Sequence, residues 1–242
     1  MPADTFKAVQ GQSDSTPRQL ESLQLGDSPA AWSDAGFLVS SEGTVRLGGT
    51  TIVCTGFGQP FQGWRIQGLG ALSPEPLITQ IDGLQLLPSV QGFEAEKSAN
   101  GLSFASETQP HPNGVTRIDH IVVSTGNCDR TINAFTAAGF ERRGSRSTTQ
   151  FGAQMLQTFF WAGDVIVELV GPSLVQDAND SLASIFGLAM VAEDLQHTAK
   201  VLGELLGNPK AAVQPGRQIA GLRTQSIGIA LPIAIMSPHQ AG

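Results

Sequence analysis

Short apolar runs broken by turn-forming stretches dominate the hydrophobic pattern of this chain. The run Ile118-Asp119-His120-Ile121-Val122-Val123 is rich in β-branched residues and reads as a buried strand. A helix is expected next. Asn127 or Asp129 can cap it, Ile132, Phe135 and Ala138 recur at helical spacing, and Gly139 is placed to end it in the left-handed conformation. Strands are then expected at Phe140–Arg143, Met155–Trp161 and Val165–Val170, the last two joined by the turn dipeptide Gly163-Asp164. The unit reads β-α-β-β-β.

The pattern then repeats. A strand is expected at Gly187–Val191, Asp194 can cap a helix with the stripe Leu195, Ala199, Leu202 and Leu206, and Gly207-Asn208-Pro209 should stop it. Strands are expected at Gln218–Arg223 and Ile233–Met236. A weaker copy precedes both, in which Ala35-Gly36-Phe37 matches Ala138-Gly139-Phe140 and Thr50–Val53 matches Val165–Glu168; its helix shrinks to about Pro29–Asp34 and Gly63–Gln67 adds a strand. The fold class implied is α+β, built from repeated βαβββ modules that curve mixed sheets against one another. Polar and Pro/Gly/Ser-rich stretches set the boundaries: a polar tail at 1–19, a degenerate unit at 20–87, a linker at 88–116, a module at 117–172, a linker at 173–184 and a second module at 185–238.

Composition narrows what such modules do. Only 14% of the 242 residues are charged, the formal net charge is −7, and no Lys/Arg run could track a phosphate backbone, so nucleic acid is not an expected partner. No apolar run approaches the ~20 residues of a membrane span, and the N-terminus lacks the basic-then-apolar order of an export signal. A cytoplasmic location with no membrane contact is the expectation. Cys54 and Cys128 stand 74 positions apart without a Cys-x-x-Cys spacing, which argues against a disulfide or zinc framework. There is no Tyr, so proton chemistry falls to His, carboxylate or water. Gly-x-Ser-x-Gly, His-Glu-x-x-His and Walker A motifs are all missing from the chain.

His120 in the first strand of the 117–172 module and Glu168 in its fourth each sit among apolar neighbours. A carboxylate there costs several kcal/mol unless a metal, a cation or its own proton compensates it. If the fourth strand pairs with the first, the two side chains are neighbours, and an imidazole beside a carboxylate is half of a divalent-metal site. A satisfied core pair, or an Arg partner such as Arg217 or Arg223, would meet the same need.

Asp-His followed by an aliphatic strand, a capped helix ending Ala-Gly-Phe, and the closing strand Asp164-Val165-Ile166-Val167-Glu168-Leu169-Val170-Gly171-Pro172 resemble the vicinal oxygen chelate superfamily, which includes glyoxalase I, extradiol dioxygenases and bleomycin resistance proteins. The resemblance covers residues 117–238 and, more faintly, 20–69. It implies paired modules forming a cup, with His120 and Glu168 as metal ligands, Glu168 as the catalytic carboxylate, and a divalent metal ion as cofactor. Its implied activity is that of a metal-dependent lyase or dioxygenase on a small molecule. The alternative within the superfamily is a metal-free cup that binds a small-molecule ligand without turnover. The partner units depart from the pattern, holding Leu188 and Ala234 in the last unit and Ser22 and Val53 in the first where ligands would stand. Further ligands would then come from a second subunit, making a homodimer, or from His111 in its Pro-His-Pro-Asn-Gly loop.

Strand alternation puts Met155, Gln157, Phe159 and Trp161 on one face, a polar group among large apolar ones, as a ligand-lining wall. Gln157, Phe159, Trp161 and Arg223 are therefore the candidate substrate-binding residues. Arg142, Arg143 and Arg146 form a basic cluster that reads as an anion site or a solvated strand end. His197 is expected on a solvated helix face and His239 in a frayed tail.

Overall fold

The computed structural model describes residues 17–69, 78–88, 109–149, 154–173 and 181–239. Residues 1–16 of the tail expected at 1–19 and most of the linkers expected at 88–116 and 173–184 lie outside the described residues, while Gln19 already belongs to the first strand.

Two sheets organise the chain. Strands Gln19–Leu25 (β1), Thr44–Leu47 (β2), Thr50–Cys54 (β3) and Phe61–Gln67 (β4) form a four-stranded sheet of order β2-β3-β1-β4, with the short helix Pro29–Asp34 after β1. A small hairpin, Gln80–Ile81 (β5) and Leu84–Gln85 (β6), follows. The middle unit comprises Val115–Ser124 (β7), the helix Cys128–Ala137, Glu141–Thr148 (β8), Met155–Ala162 (β9) and Val165–Pro172 (β10). The last comprises Ser184–Ala192 (β11), the helix Leu195–Leu202, and Lys210–Ala211 (β12), Gln218–Leu222 (β13) and Ile233–Met236 (β14). Middle and last units share one eight-stranded sheet, order β12-β13-β14-β11-β7-β10-β9-β8, joined where β7 and β11 run antiparallel. The α+β architecture of repeated units in curved mixed sheets is thus the one expected.

Local chemistry accounts for most element ends. The Asn127 carboxamide oxygen accepts from the Arg130 amide, and Asp194 accepts from the Gln196 and His197 amides, so each caps its helix. Gly139, at φ 82°, takes the chain out of the middle helix as expected. The last helix corrects the expectation, because Gly203, at φ 53°, ends it four residues before Gly207. Leu206 is consequently not on the helix; it lies extended and buried, bridged to Leu222.

One apolar core lies between the two sheets. Phe135 of the middle helix meets Trp64 of the small sheet on one side, ring centroids 6.0 Å apart, and Phe160 of the large sheet on the other at 5.0 Å. Phe135, Trp64 and Phe160 are fully buried, which makes this stack a large share of the adhesion between sheets.

The first strand of every unit carries the same irregularity. In β7, His120 lies opposite Ala189 and Ile118 opposite Met190, so Asp119 is an extra residue. In β11, Ile185 lies opposite Val123 and Gly187 opposite Val122, so Phe186 is extra; in β1 it is Glu21, between Leu20 and Ser22. A bulge of this kind turns two consecutive side chains away from the core instead of one. The core residues are spaced accordingly: Ile118, Ile121 and Val123 in one unit, Ile185, Leu188 and Met190 in another, Leu20, Leu23 and Leu25 in the third, all buried.

Candidate active site

The bulge in β7 is what assembles the site. Because Asp119 and His120 share the outer, concave side of the large sheet, the Asp119 carboxylate meets His120 Nδ1 at 2.9 Å. Strict alternation would have sent them to opposite faces. Strand β10 runs parallel to β7 with Ile166 opposite His120, and Glu168, two residues on, faces the same side. Glu168 Oε2 lies 3.6 Å from His120 Nε2, and both side chains are mostly buried. The pair expected from sequence therefore lies together on one face of one sheet.

Asp119 is held by more than the imidazole. Arg217 donates from Nη2 to Asp119 Oδ1 at 3.0 Å and from Nη1 to Oδ2 at 3.4 Å, with its own side chain fully buried. Burial pushes the Asp119 carboxyl up, but hydrogen bonds from His120 and Arg217 and the Arg217 charge outweigh it, holding it well below the usual carboxylate range. An ionised carboxylate only accepts, so His120 carries a proton on Nδ1 and presents Nε2 toward Glu168. Arg217 was one of two arginines expected on Glu168; it serves Asp119 instead. Arg223, the other and also a candidate substrate-binding residue, is exposed at the start of a 3₁₀ turn and does not line the cup.

Glu168 is steadied from its other side. Gln157 Nε2 donates to Glu168 Oε1 at 2.6 Å, and Arg146 Nε donates to Gln157 Oε1 at 2.6 Å. Gln157 is buried, while Arg146 lies over the Phe159 ring, 5.4 Å from its centroid. Phe159 pairs with Glu168 across β9 and β10, and Trp161, farther along the same face, carries Arg143 at 5.3 Å. Trp161 lines a separate depression of about 780 Å³ with Arg18, Arg117 and Asp164, not the cup. A polar row thus runs Arg217, Asp119, His120, Glu168, Gln157, Arg146. Its members His120, Glu168, Gln157 and Arg146 border a cavity of about 450 Å³ whose other walls include Val122, Val170, Leu222, Ile233 and Met236.

The opposite half of that cavity has no donors at the matching points. Aligning the bulges puts Gly187, not Leu188, at the place of His120; Leu188 belongs to the core. Ala234 holds the place of Glu168, as expected from sequence. Gly187 is also enforced: a Cβ there would lie 2.7 Å from the Pro232 carbonyl oxygen, so no ligating side chain fits without backbone movement. In the first unit Ser22 and Val53 hold these places, and the Ser22 hydroxyl accepts from Arg65 at 3.0 Å. Among the described residues no group of three or more His, Cys, Asp or Glu side chains is arranged to hold a metal ion. Two protein donors fall short of the three that a catalytic zinc or facial-triad site draws from its protein. The donor set of one chain does not fit the divalent metal site that the resemblance implies.

The remaining histidines lie elsewhere. His111 Nδ1 accepts from the Leu38 amide at 2.9 Å and Nε2 donates to the Arg46 carbonyl at 2.8 Å, so both ring nitrogens are used in joining the first unit to the rest. His197 is exposed and bonds the Pro112 carbonyl at 2.9 Å, and His239 sits 3.2 Å from Arg217 Nη1. Cys54 and Cys128 are buried free thiols, pushed by burial up to about 12 and about 11.

No protein-family model matches the chain, and no curated protein matches it. Solved structures do. A mutant of 4-hydroxymandelate synthase from Streptomyces coelicolor is 14% identical over 94% of this chain and 94% of that one, with a TM-score of 0.61. A xylose isomerase-like TIM barrel/4-hydroxyphenylpyruvate dioxygenase fusion protein is 12% identical, covering 94% of this chain and 50% of that one, TM-score 0.55. BphC, a halotolerant catechol dioxygenase, is 9% identical over 93% and 88%, TM-score 0.50.

Proposed function

The chain has the vicinal oxygen chelate fold, and we propose that its cup is the active site of a small-molecule enzyme in which His120 and Glu168 move a proton on the substrate. The observation that carries this reading is the close approach of two atoms able to take up or give up a proton, His120 Nε2 and Glu168 Oε2, 3.6 Å apart at the wall of a cavity. Both are bases, and each is anchored from behind, by Asp119 and by Gln157. One takes a proton from the substrate and either returns it at a neighbouring atom itself or passes it across the 3.6 Å gap to the other, which delivers it there. Abstraction beside a carbonyl, as in an isomerisation or an elimination, is the reaction class such a pair serves. The apolar walls exclude water and strengthen the charges involved.

A divalent ion on the same two atoms is the second reading, favoured by the same close approach of imidazole and carboxylate. It needs donors that this chain does not place there, from water, from the substrate or from a second subunit. Elemental analysis of protein purified without chelator or tag metal separates the two, with far less than one ion per chain expected. One tightly held ion per chain overturns the metal-free reading. Mass spectrometry then follows solvent deuterium entering a panel of carbonyl-bearing carbon acids. Incorporation should fall by ~100-fold or more in Glu168→Gln, and an unchanged rate in that variant would remove Glu168 from the chemistry.

A further inference from the structure

We infer that the molecule bound in the cup is an amphipathic organic anion, its anionic head on Arg146 and its apolar body over the last unit's half of the cavity. This deepens the proposed function and rests on it. Arg146 is the only Lys or Arg among the described residues lining the cup. It is set in place before any ligand arrives: Nε is spent on the buried Gln157 and the guanidinium lies on Phe159. The Nη groups make no hydrogen bond, and no carboxylate lies within ion-pair distance of them, among the described residues. Glu168 does not neutralise Arg146, because the Gln157 amide stands between them, donating to one and accepting from the other. A guanidinium with its outer edge free is suited to two-point recognition of a carboxylate or sulfonate.

The rest of the cup suits an apolar body. Where the middle unit has His120 and Glu168, the last has Gly187 and Ala234, and Gly221 and Ala189 extend this low floor. Phe186 and Val213 stand at the rim, 55% and 61% exposed. Exposed apolar groups around an apolar cavity are costly in water and are expected where a ligand covers them. The cavity, about 450 Å³, falls within the ~300–1,000 Å³ of small-molecule sites.

Two dyes of one shape test this: anionic 1-anilinonaphthalene-8-sulfonate and neutral N-phenyl-1-naphthylamine. In fluorescence titrations of the intact protein both should bind saturably, the anionic dye more tightly by about tenfold. Arg146→Gln should erase that preference and leave the neutral dye's affinity unchanged. Gly221→Leu should weaken both dyes by about tenfold or more, without lowering the melting temperature, since a Cβ at Gly221 meets no atom within 4 Å. Ala234→Leu is the second cup-filling variant, should the first fail to fold. Unchanged preference in Arg146→Gln overturns the head-group assignment and leaves the proposed function standing. Dyes indifferent to both filling variants bind elsewhere and overturn the placement of the body. Failure of either dye to bind saturably removes the cup as a small-molecule site, and both readings fall.

Discussion

In the middle unit the bulge residue is Asp119 and the next is His120; in the last unit the same two places hold Phe186 and Gly187. Both strands carry the bulge at the same place relative to their core residues, so the bulge alone does not decide which half is reactive. Side-chain room does. His120 projects into the cavity, whereas Gly187 lies against the Pro232 carbonyl with no space for a Cβ. A single repeated device thus yields a polar wall in one copy and a bare floor in the other. The difference shows that a repeated fold can divide recognition between its halves without changing topology.

The largest expected effect breaks that comparison at the bulge itself. Asp119→Ala strands the fully buried Arg217 cation and should cost about 3–5 kcal/mol in urea unfolding. Phe186→Ala, at the equivalent and exposed place, should cost under about 1 kcal/mol; equal costs would show that the two bulges are not energetically distinct. Next in size is the adjoining residue. Gly187→Ala should destabilise by about 1–3 kcal/mol through its clash with Pro232, while His120→Ala, at the cup wall, should cost less than about 1 kcal/mol and still abolish proton transfer. A stable Gly187→Ala would sink the claim that the last half excludes ligands by sterics.

The smallest effects are in pH dependence. The Asp119 carboxyl is held below its ordinary value of 3.8 in the folded chain, so the unfolded chain binds more protons in acid. The stability it contributes is present above that value and is lost as pH falls beneath it. Asp119→Asn should therefore flatten the acid limb of a melting-temperature profile, and an unaltered limb would refute the assignment. Burial lowers His111 from 6.5, with the Arg46 carbonyl opposing, so the unfolded chain takes its proton first and stability should drop as pH falls below that value. His111→Gln should remove that gentler slope, and its persistence would place the titration elsewhere.

Much of this was legible in the residues. The β-branched runs announced the strands, Asn127 and Asp194 the caps, and His120 with Glu168 the pair, because each depends on local chemistry. The bulge is not, since a period of two sends Asp119 to the face opposite His120, and matching the modules residue by residue puts Leu188 rather than Gly187 at the place of His120. Its signal was nonetheless present: an apolar residue followed by others three and five positions on, at Leu20, Leu23 and Leu25, at Ile118, Ile121 and Val123, and at Ile185, Leu188 and Met190. Arg217 was read as a partner for Glu168 because only the closed sheet shows that it reaches Asp119 first. The helix stop at Gly203 was missed because Leu206 completes an apolar stripe equally well as an extended residue packed on Leu222.

The ion pair behind His120 has a consequence for how the protein is made. Asp119 and Arg217 are 98 residues apart in the chain, and contacts of that separation close late, after the entropy of the intervening loop has been overcome. During synthesis the middle unit emerges before Arg217, so Asp119 gains its guanidinium partner only when the segment leading into β13 docks. The closed Asp119–Arg217 pair is in this sense a report that the whole sheet has been completed.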